Sequence, residues 1–217
     1  YGEYRLLTGS GIPTAEIGSH YFQETDPKHL FAQCSHYCEQ VSGREQLPRM
    51  LHAAVQAAVN QDGVAVLVVP GDVAMERSAN GSAAPERVER SSRVLAPSPE
   101  QLSLAAGLLN GAKKVTILAG IGCAGAHAEL VGLASQLQAP IVHSLRGKEH
   151  VEHDNPFDVG MTGLLGFSSG YKAIKECDVL LVLGSDFPYR QFYPDKARVV
   201  QVDTRPEVIG RRHKVDV

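Results

Sequence analysis

The amino-acid sequence predicts an α/β protein with a doubly wound parallel sheet, preceded by part of a second α/β domain. Three observations carry that prediction. Apolar runs at Val64–Val69, Val115–Ala119 and Val179–Leu183 are continuous rather than alternating, as in strands covered on both faces. Stretches with apolar residues at helical spacing separate them. Glycine-rich turns then follow the strands at Gly120–Gly125 and from Gly184, the end of an open α/β sheet at which ligands bind.

Taken in order, residues 1–11 carry no clear element, and Thr8–Gly11 reads as a loop. Ile12–Thr25 is polar and glycine-containing, hence also a loop. Asp26-Pro27 is an N-cap followed by proline in the first turn, and the helix it starts is expected to run to Ser42-Gly43 with Leu30, Phe31 and Cys34 inward. A second helix, Gln46–Gln61, has Leu47, Met50, Leu51, Ala54, Val55 and Ala58 as its apolar stripe. Residues 77–97 are rich in Ser, Ala, Arg and Pro and form an expected linker between a domain over 1–76 and another over 98–217. Ser98-Pro99-Glu100-Gln101 starts a helix, which ends near Asn110-Gly111. Val115–Ala119, a glycine turn, a helix through Leu130, Leu133, Ala134 and Leu137, and Ile141-Val142 make one βαβ unit. A loop is expected over 146–170, a helix near 171–176, and strands at Val179–Leu183 and Arg198–Asp203.

Composition narrows the functions. A net charge of −3 without a basic run argues against nucleic acid as a partner. No stretch approaches the ~18–20 apolar residues of a membrane helix, and no signal segment opens the chain, so a cytoplasmic protein is expected. The cysteines, Cys34, Cys38, Cys123 and Cys177, match no zinc spacing. Cys34 and Cys38, four apart, read as small residues on a buried helix face. His150 and His153, flanked by acids, read as a polar turn rather than a metal site, and no metal ligand is assigned. No hydrolytic triad is read from the sequence.

Three strand ends carry ligand-type residues: Gly120–Gly125, Gly184–Tyr189, and Asp203-Thr204. Glycines let a phosphate approach backbone N–H groups, and an acid at a strand end accepts from sugar hydroxyls. Gly120-Ile121-Gly122-Cys123-Ala124-Gly125 fits GxGxxG and taken alone points to a nicotinamide site. Arg146-Gly147-Lys148-Glu149 reads by itself as a solvated charged turn, and the alternative is that its cations contact a pyrophosphate. The loop Gly160–Gly166, with apolar residues between its glycines, suits backbone pressed against a flat, partly apolar ligand.

These residues resemble the thiamine-diphosphate-dependent enzymes, and most closely the bacterial FAD-containing pyruvate oxidases that reduce quinone. The resemblance rests on EIGSHYFQET (16–25), FAQCSHYCEQV (31–41), VVPGDVA (68–74), GCAGAH (122–127), API-VH-LRGKEHVE (139–152), DNPFDVGMTGLLGFSSG (154–170) and FPYRQFYP (187–194). It implies that 1–76 is the later part of a pyrimidine-binding domain and 98–217 most of a central FAD-binding domain. Thr162, Gly163, Leu164 and Leu165 match a loop against the flavin cofactor. Ser185, Asp186, Phe187, Pro188 and Tyr189 match a second FAD segment, and Asp203 the acid that holds the adenosine part. Gly122 and Arg146 match phosphate contacts. Phe22 and Gln23 match a pair that reaches the thiamine site and positions pyruvate. The implied activity is decarboxylation of pyruvate to acetate and CO2, with electrons passing through FAD to quinone. Thiamine diphosphate and Mg would be bound largely by parts outside this chain, which is expected to be inactive alone. A homotetramer, peripheral on the membrane through a segment outside this chain, is also implied. Alternatives are an acetohydroxyacid synthase-like carboligase and a non-catalytic nucleotide-binding module.

Overall fold

Every strand pair in the described part of the protein, residues 5–77, 87–89 and 95–217 of a computed structural model, is parallel. The chain divides into two units, Tyr1–Arg93 and Val94–Val217. Most of the expected linker lies outside the described residues.

The first unit contains β1 (Arg5–Gly11), α1 (Pro27–Phe31), β2 (Tyr37–Gln40), α2 (Leu47–Asn60), β3 (Val64–Pro70) and α3 (Gly71–Met75). Its sheet order is β1-β3-β2. β3 is central, as its continuous apolar run requires. Along α2, Ala54 and Ala58 are small enough to let the helix lie against Ala65 of β3, and Leu47, Met50 and Leu51 cover Val41, Leu67 and Val73.

Two expectations fail here. Residues 5–11 form a strand, in register with β3 from Arg5↔Val64 to Gly11↔Pro70. Thr8–Gly11 has weak strand preference, and pairing along β3 overrides it. The helix capped by Asp26, whose Oδ1 accepts from His29 N at 3.1 Å, ends at Phe31 instead of running to Ser42. The Ser35 hydroxyl donates to Phe31 O at 2.8 Å, and Tyr37–Gln40 then pairs with β3. Cys34 and Leu30 are therefore exposed and Cys38 sits in a strand, so the two cysteines share no helix face.

The second unit runs α4 (Pro99–Asn110), β4 (Val115–Ala119), α5 (His127–Leu137), β5 (Ile141–His143), α6 (Lys148–Val151), β6 (Asp158–Met161), α7 (Ser168–Glu176), β7 (Val179–Leu183) and β8 (Arg198–Val202). α4 opens on a capping box: Ser98 and Gln101 each accept from the other's backbone N–H. The sheet order is β6-β5-β4-β7-β8. Ile117, Ala119, Ile141, Leu181 and Val200 pack on one face beneath Leu130 and Ala134 of α5. Leu118, Val142, Leu180, Val182 and Val199 pack on the other with Ile174 of α7, Phe187 and Tyr193. Helices on both faces make this a doubly wound sheet. The expected loop over 146–170 also contains α6 and the edge strand β6. Asp158-Val-Gly-Met is too short and too poor in strand formers to be read as a strand. It is held by β5, where Ile141 N donates to Phe157 O at 2.8 Å.

Candidate cofactor-binding site

The chain leaves β4 for β5 and β6 on one side, then returns through α7 to β7 and β8 on the other. β4 and β7 therefore flank the switch point, at whose carboxyl side a crevice is expected. The glycines there press on one another. Gly120 N donates to Leu183 O at 2.9 Å and Gly122 N to Gly184 O at 3.0 Å. A Cβ on Gly122 would lie 2.6 Å from Gly184 Cα, and one on Gly184, where φ is +55°, would lie 2.4 Å from Gly122 Cα. The glycine turn is thus required for backbone packing between two strand ends. The Gly122 N–H, at a position matched to a phosphate contact, is engaged by Gly184 O.

The two loops matched to the flavin do meet. Gly163 has φ +104°, and a Cβ there would lie 3.2 Å from the Phe187 ring and 3.7 Å from Tyr189. Phe187 is buried and forms edge contacts with Tyr189 and Phe192 at ring-centroid distances of 5.4 and 5.9 Å. Burial pushes the Tyr193 phenol up to about 12, so it stays protonated and donates to Phe187 O at 3.1 Å, fixing the segment from below. In the same loop and just after it, Leu164, Leu165 and Phe167 are 67%, 73% and 64% exposed. Gly166, whose added Cβ would lie 2.5 Å from Met161 O, folds the loop back tightly, and Gly166 N donates to Gly163 O. The Thr162 hydroxyl is buried without a partner. Three exposed apolar side chains on a loop whose Gly163 meets the Phe187 ring, with an unsatisfied hydroxyl at Thr162, fit a flat ligand with polar edges.

The charged residues divide. Arg146 is exposed, with no ion pair among the described residues, and could meet an anion. Asp186 is occupied: its oxygens accept from Arg212 Nε at 2.8 Å and Arg211 Nη1 at 3.0 Å. Its carboxylate therefore anchors residues 211–212, which the sequence reading did not link to it. Ser185 is buried and Pro188 exposed. The Asp203 side chain is turned inward, with Oδ1 accepting from Arg205 N at 2.9 Å. His143, at the carboxyl end of β5, lies 3.5 Å from both Glu152 and Asp158. The sequence reading passed over it, although a histidine ending a buried strand was the available signal.

In the first unit, Phe22 is 78% exposed on the loop before α1. Gln23 and His20 adopt φ of +61° and +60°, uncommon for residues with side chains. Glu24 holds that turn by accepting from Gly18 N at 2.5 Å and Tyr21 N at 3.2 Å. These backbone bonds, Gly18 foremost, keep its carboxyl below the usual range.

The second unit is thus a doubly wound α/β domain with these loops at the carboxyl edge of its sheet. Residues 102–217 match the central domain of thiamine pyrophosphate enzymes, and the chain belongs to that family. It is 56% identical over 212 residues to an uncharacterized 42.6 kDa protein encoded 3′ of the isoamylase region in Pseudomonas amyloderamosa, covering 98% of this chain and 54% of that protein. It is 36% identical over 212 residues to YdaP of Bacillus subtilis, named provisionally as a thiamine pyrophosphate-containing protein, covering 97% of this chain and 36% of the relative. Further relatives include acetolactate synthases at 27–30% identity. They also include the pyruvate oxidase of Lactiplantibacillus plantarum, 25% identical over 207 residues, 90% of this chain and 33% of its own length. The chain spans about half the length of the first relative and little more than a third of the second.

Proposed function

We propose that this chain is the FAD-holding part of a thiamine-diphosphate enzyme that converts pyruvate to acetate and CO2 and delivers the electrons to a quinone. The supporting observation is the meeting of the Thr162–Leu165 loop with Phe187–Tyr189 at Gly163, with Leu164 and Leu165 exposed. When bound, the flavin would supply two-electron redox chemistry. The chain's own residues would hold it. Leu164, Leu165 and Tyr189 would cover the ring and exclude water. The Thr162 hydroxyl would bond a polar ring edge once the loop uncovers it. Arg146 would meet the pyrophosphate, and Asp203 the sugar. Gly122, Gly184 and Asp186 would shape the site without touching the ligand. Phe22 and Gln23 would position pyruvate where thiamine diphosphate and Mg are held by residues outside this chain.

The whole protein would be a homotetramer in the cytoplasm, resting on the inner membrane surface through a segment outside this chain. Among the described residues, no helix is long and apolar enough to cross a membrane. The second reading, an acetolactate-forming carboligase, is favoured by the number of acetolactate synthases among the relatives. The visible absorption spectrum of the purified chain, with chromatography of the released ligand, tests the flavin. A colourless protein that takes up no added FAD would end that part of the reading. Acetate from pyruvate, with concomitant quinone reduction by the full-length protein, separates it from the carboligase, which would yield acetolactate.

A further inference from the structure

His143 is 1% exposed, yet its Nε2 has no hydrogen-bond partner, and neither does the buried Asp158 Oδ1 3.5 Å away. Glu152 Oε2 lies at the same 3.5 Å from Nε2. These separations exceed the usual ~2.7–3.2 Å of an N–H···O bond. Buried polar atoms without partners call for an explanation. Here the ring chemistry offers one. Nδ1 faces Ser144 O at 3.4 Å, and Nε2 faces two carboxylates. Both ring nitrogens thus look onto acceptors, while a neutral imidazole has only one N–H to give.

His143 also stands between the two loops of the candidate site. Its carbonyl accepts from Thr162 N at 3.1 Å, and the turn through Arg146 follows it, closed by Gly147 N donating to Ser144 O at 2.9 Å. Glu152 follows α6, and Asp158 begins β6, so the side chain faces both ends of the segment that returns the chain from α6 to the sheet. We propose that His143, Glu152 and Asp158 form a proton-closed latch. It ties the Arg146 turn to the Thr162–Leu165 loop when both ring nitrogens are protonated and slackens when one is bare.

The surrounding charges suit this. From α6, Lys148 pairs with Glu152, while Glu149 and His150 pair with each other at 3.3 Å. β4 presents Ile117 and Ala119 alongside β5, without charge. Burial raises the Asp158 carboxyl above its usual range, with His143 opposing, so an ionised Asp158 gains from a cationic neighbour. The inference rests on the proposed function only in what the two loops would hold.

The test is nuclear magnetic resonance of the chain across about pH 5–8, the range in which histidine ordinarily titrates. It would follow the His143 ring nitrogens and the Thr162 and Arg146 amides. The expected result is one shared midpoint. D158N should move it to lower pH by about one unit, and H143Q should flatten both amide titrations. Amides that stay flat while His143 titrates, or a midpoint unchanged in both D158N and E152Q, would overturn the latch. Should H143Q not fold, the two carboxylate variants decide alone. Flavin content is scored separately, since its loss with the titration intact counts against the proposed function and not the latch.

Discussion

Replacing Gly184 by alanine tests the packing at the switch point. Two costs add at that position. An L-residue with φ +55° is in the left-handed region, worth about 1–2 kcal/mol. The new methyl would then sit 2.4 Å from Gly122 Cα and 2.8 Å from Gly122 C. Those are backbone atoms, tied to the same strand end by the Gly122 N–H bond to Gly184 O, so relief requires parting β4 from β7. Overpacking of this kind costs roughly 1–3 kcal/mol, and the sum is about 2–5 kcal/mol for G184A. Against a typical total of ~5–15 kcal/mol that is severe. Two controls separate the contributions. Gly125 has φ +80° with nothing within 4 Å of an added Cβ, so G125A should show the conformational cost alone. Gly132 lies within α5, also in open space, and G132A should stabilise by about 0.5–1 kcal/mol. Hydrogen–deuterium exchange at the buried Ile117 and Leu181 amides reads the second unit by itself. If G184A loses no more protection than G125A, the close approach of the two glycines does not constrain the sheet as argued.

Other expectations follow from individual side chains. Under native conditions at neutral pH, a maleimide should modify Cys34 first. Cys123 and Cys177 are buried, with burial raising both thiols, Cys177 to about 11; if C34S leaves the fast phase intact, the short α1 is wrong. T162V should leave stability unchanged or raise it by about 1 kcal/mol, since it removes a buried hydroxyl without a partner. It should also lower FAD retention, and unchanged retention would remove Thr162 from the ligand. Asp72 accepts from Thr14 N and Thr14 Oγ1, first from the hydroxyl, and is held below its usual range. A depressed carboxyl stabilises above its unfolded pKa and loses that contribution as pH falls through the folded one. D72N should therefore flatten the acid limb of the first unit's stability profile, and a superimposable profile would show the tether to be idle.

The elements legible from the sequence were those whose determinants are local. The Ser98–Gln101 capping box and the runs at β3, β4 and β7 needed no distant partner. Those missed depend on what pairs with them. β1 contains Thr-Gly-Ser-Gly and exists only along β3, and β6 is too short to show a period. α1 stops because Ser35 turns back on Phe31 and β2 is claimed by β3. At the site, the loop 160–166 was legible because three glycines with apolar residues between them suit no ordinary surface turn. The contacts of Gly122, Gly184 and Asp186 were not. Their partners lie far along the chain, and a glycine that admits a phosphate looks the same as one that admits another glycine.

The all-parallel sheet also sets an order of assembly. With no hairpin, each pairing must wait for an intervening stretch of chain to close, at an entropic cost that grows with its length. Ile117 meets Ile141 across one helix, and Val179 meets Arg198 across one loop, whereas Val115 meets Val179 only after α5, β5, β6 and α7 have been laid down. The β4–β7 seam is then the last joint to close on folding. A slow folding phase should carry its signature at the Gly120, Gly122 and Gly184 amides, so the glycines that press on one another mark the edge the chain completes last.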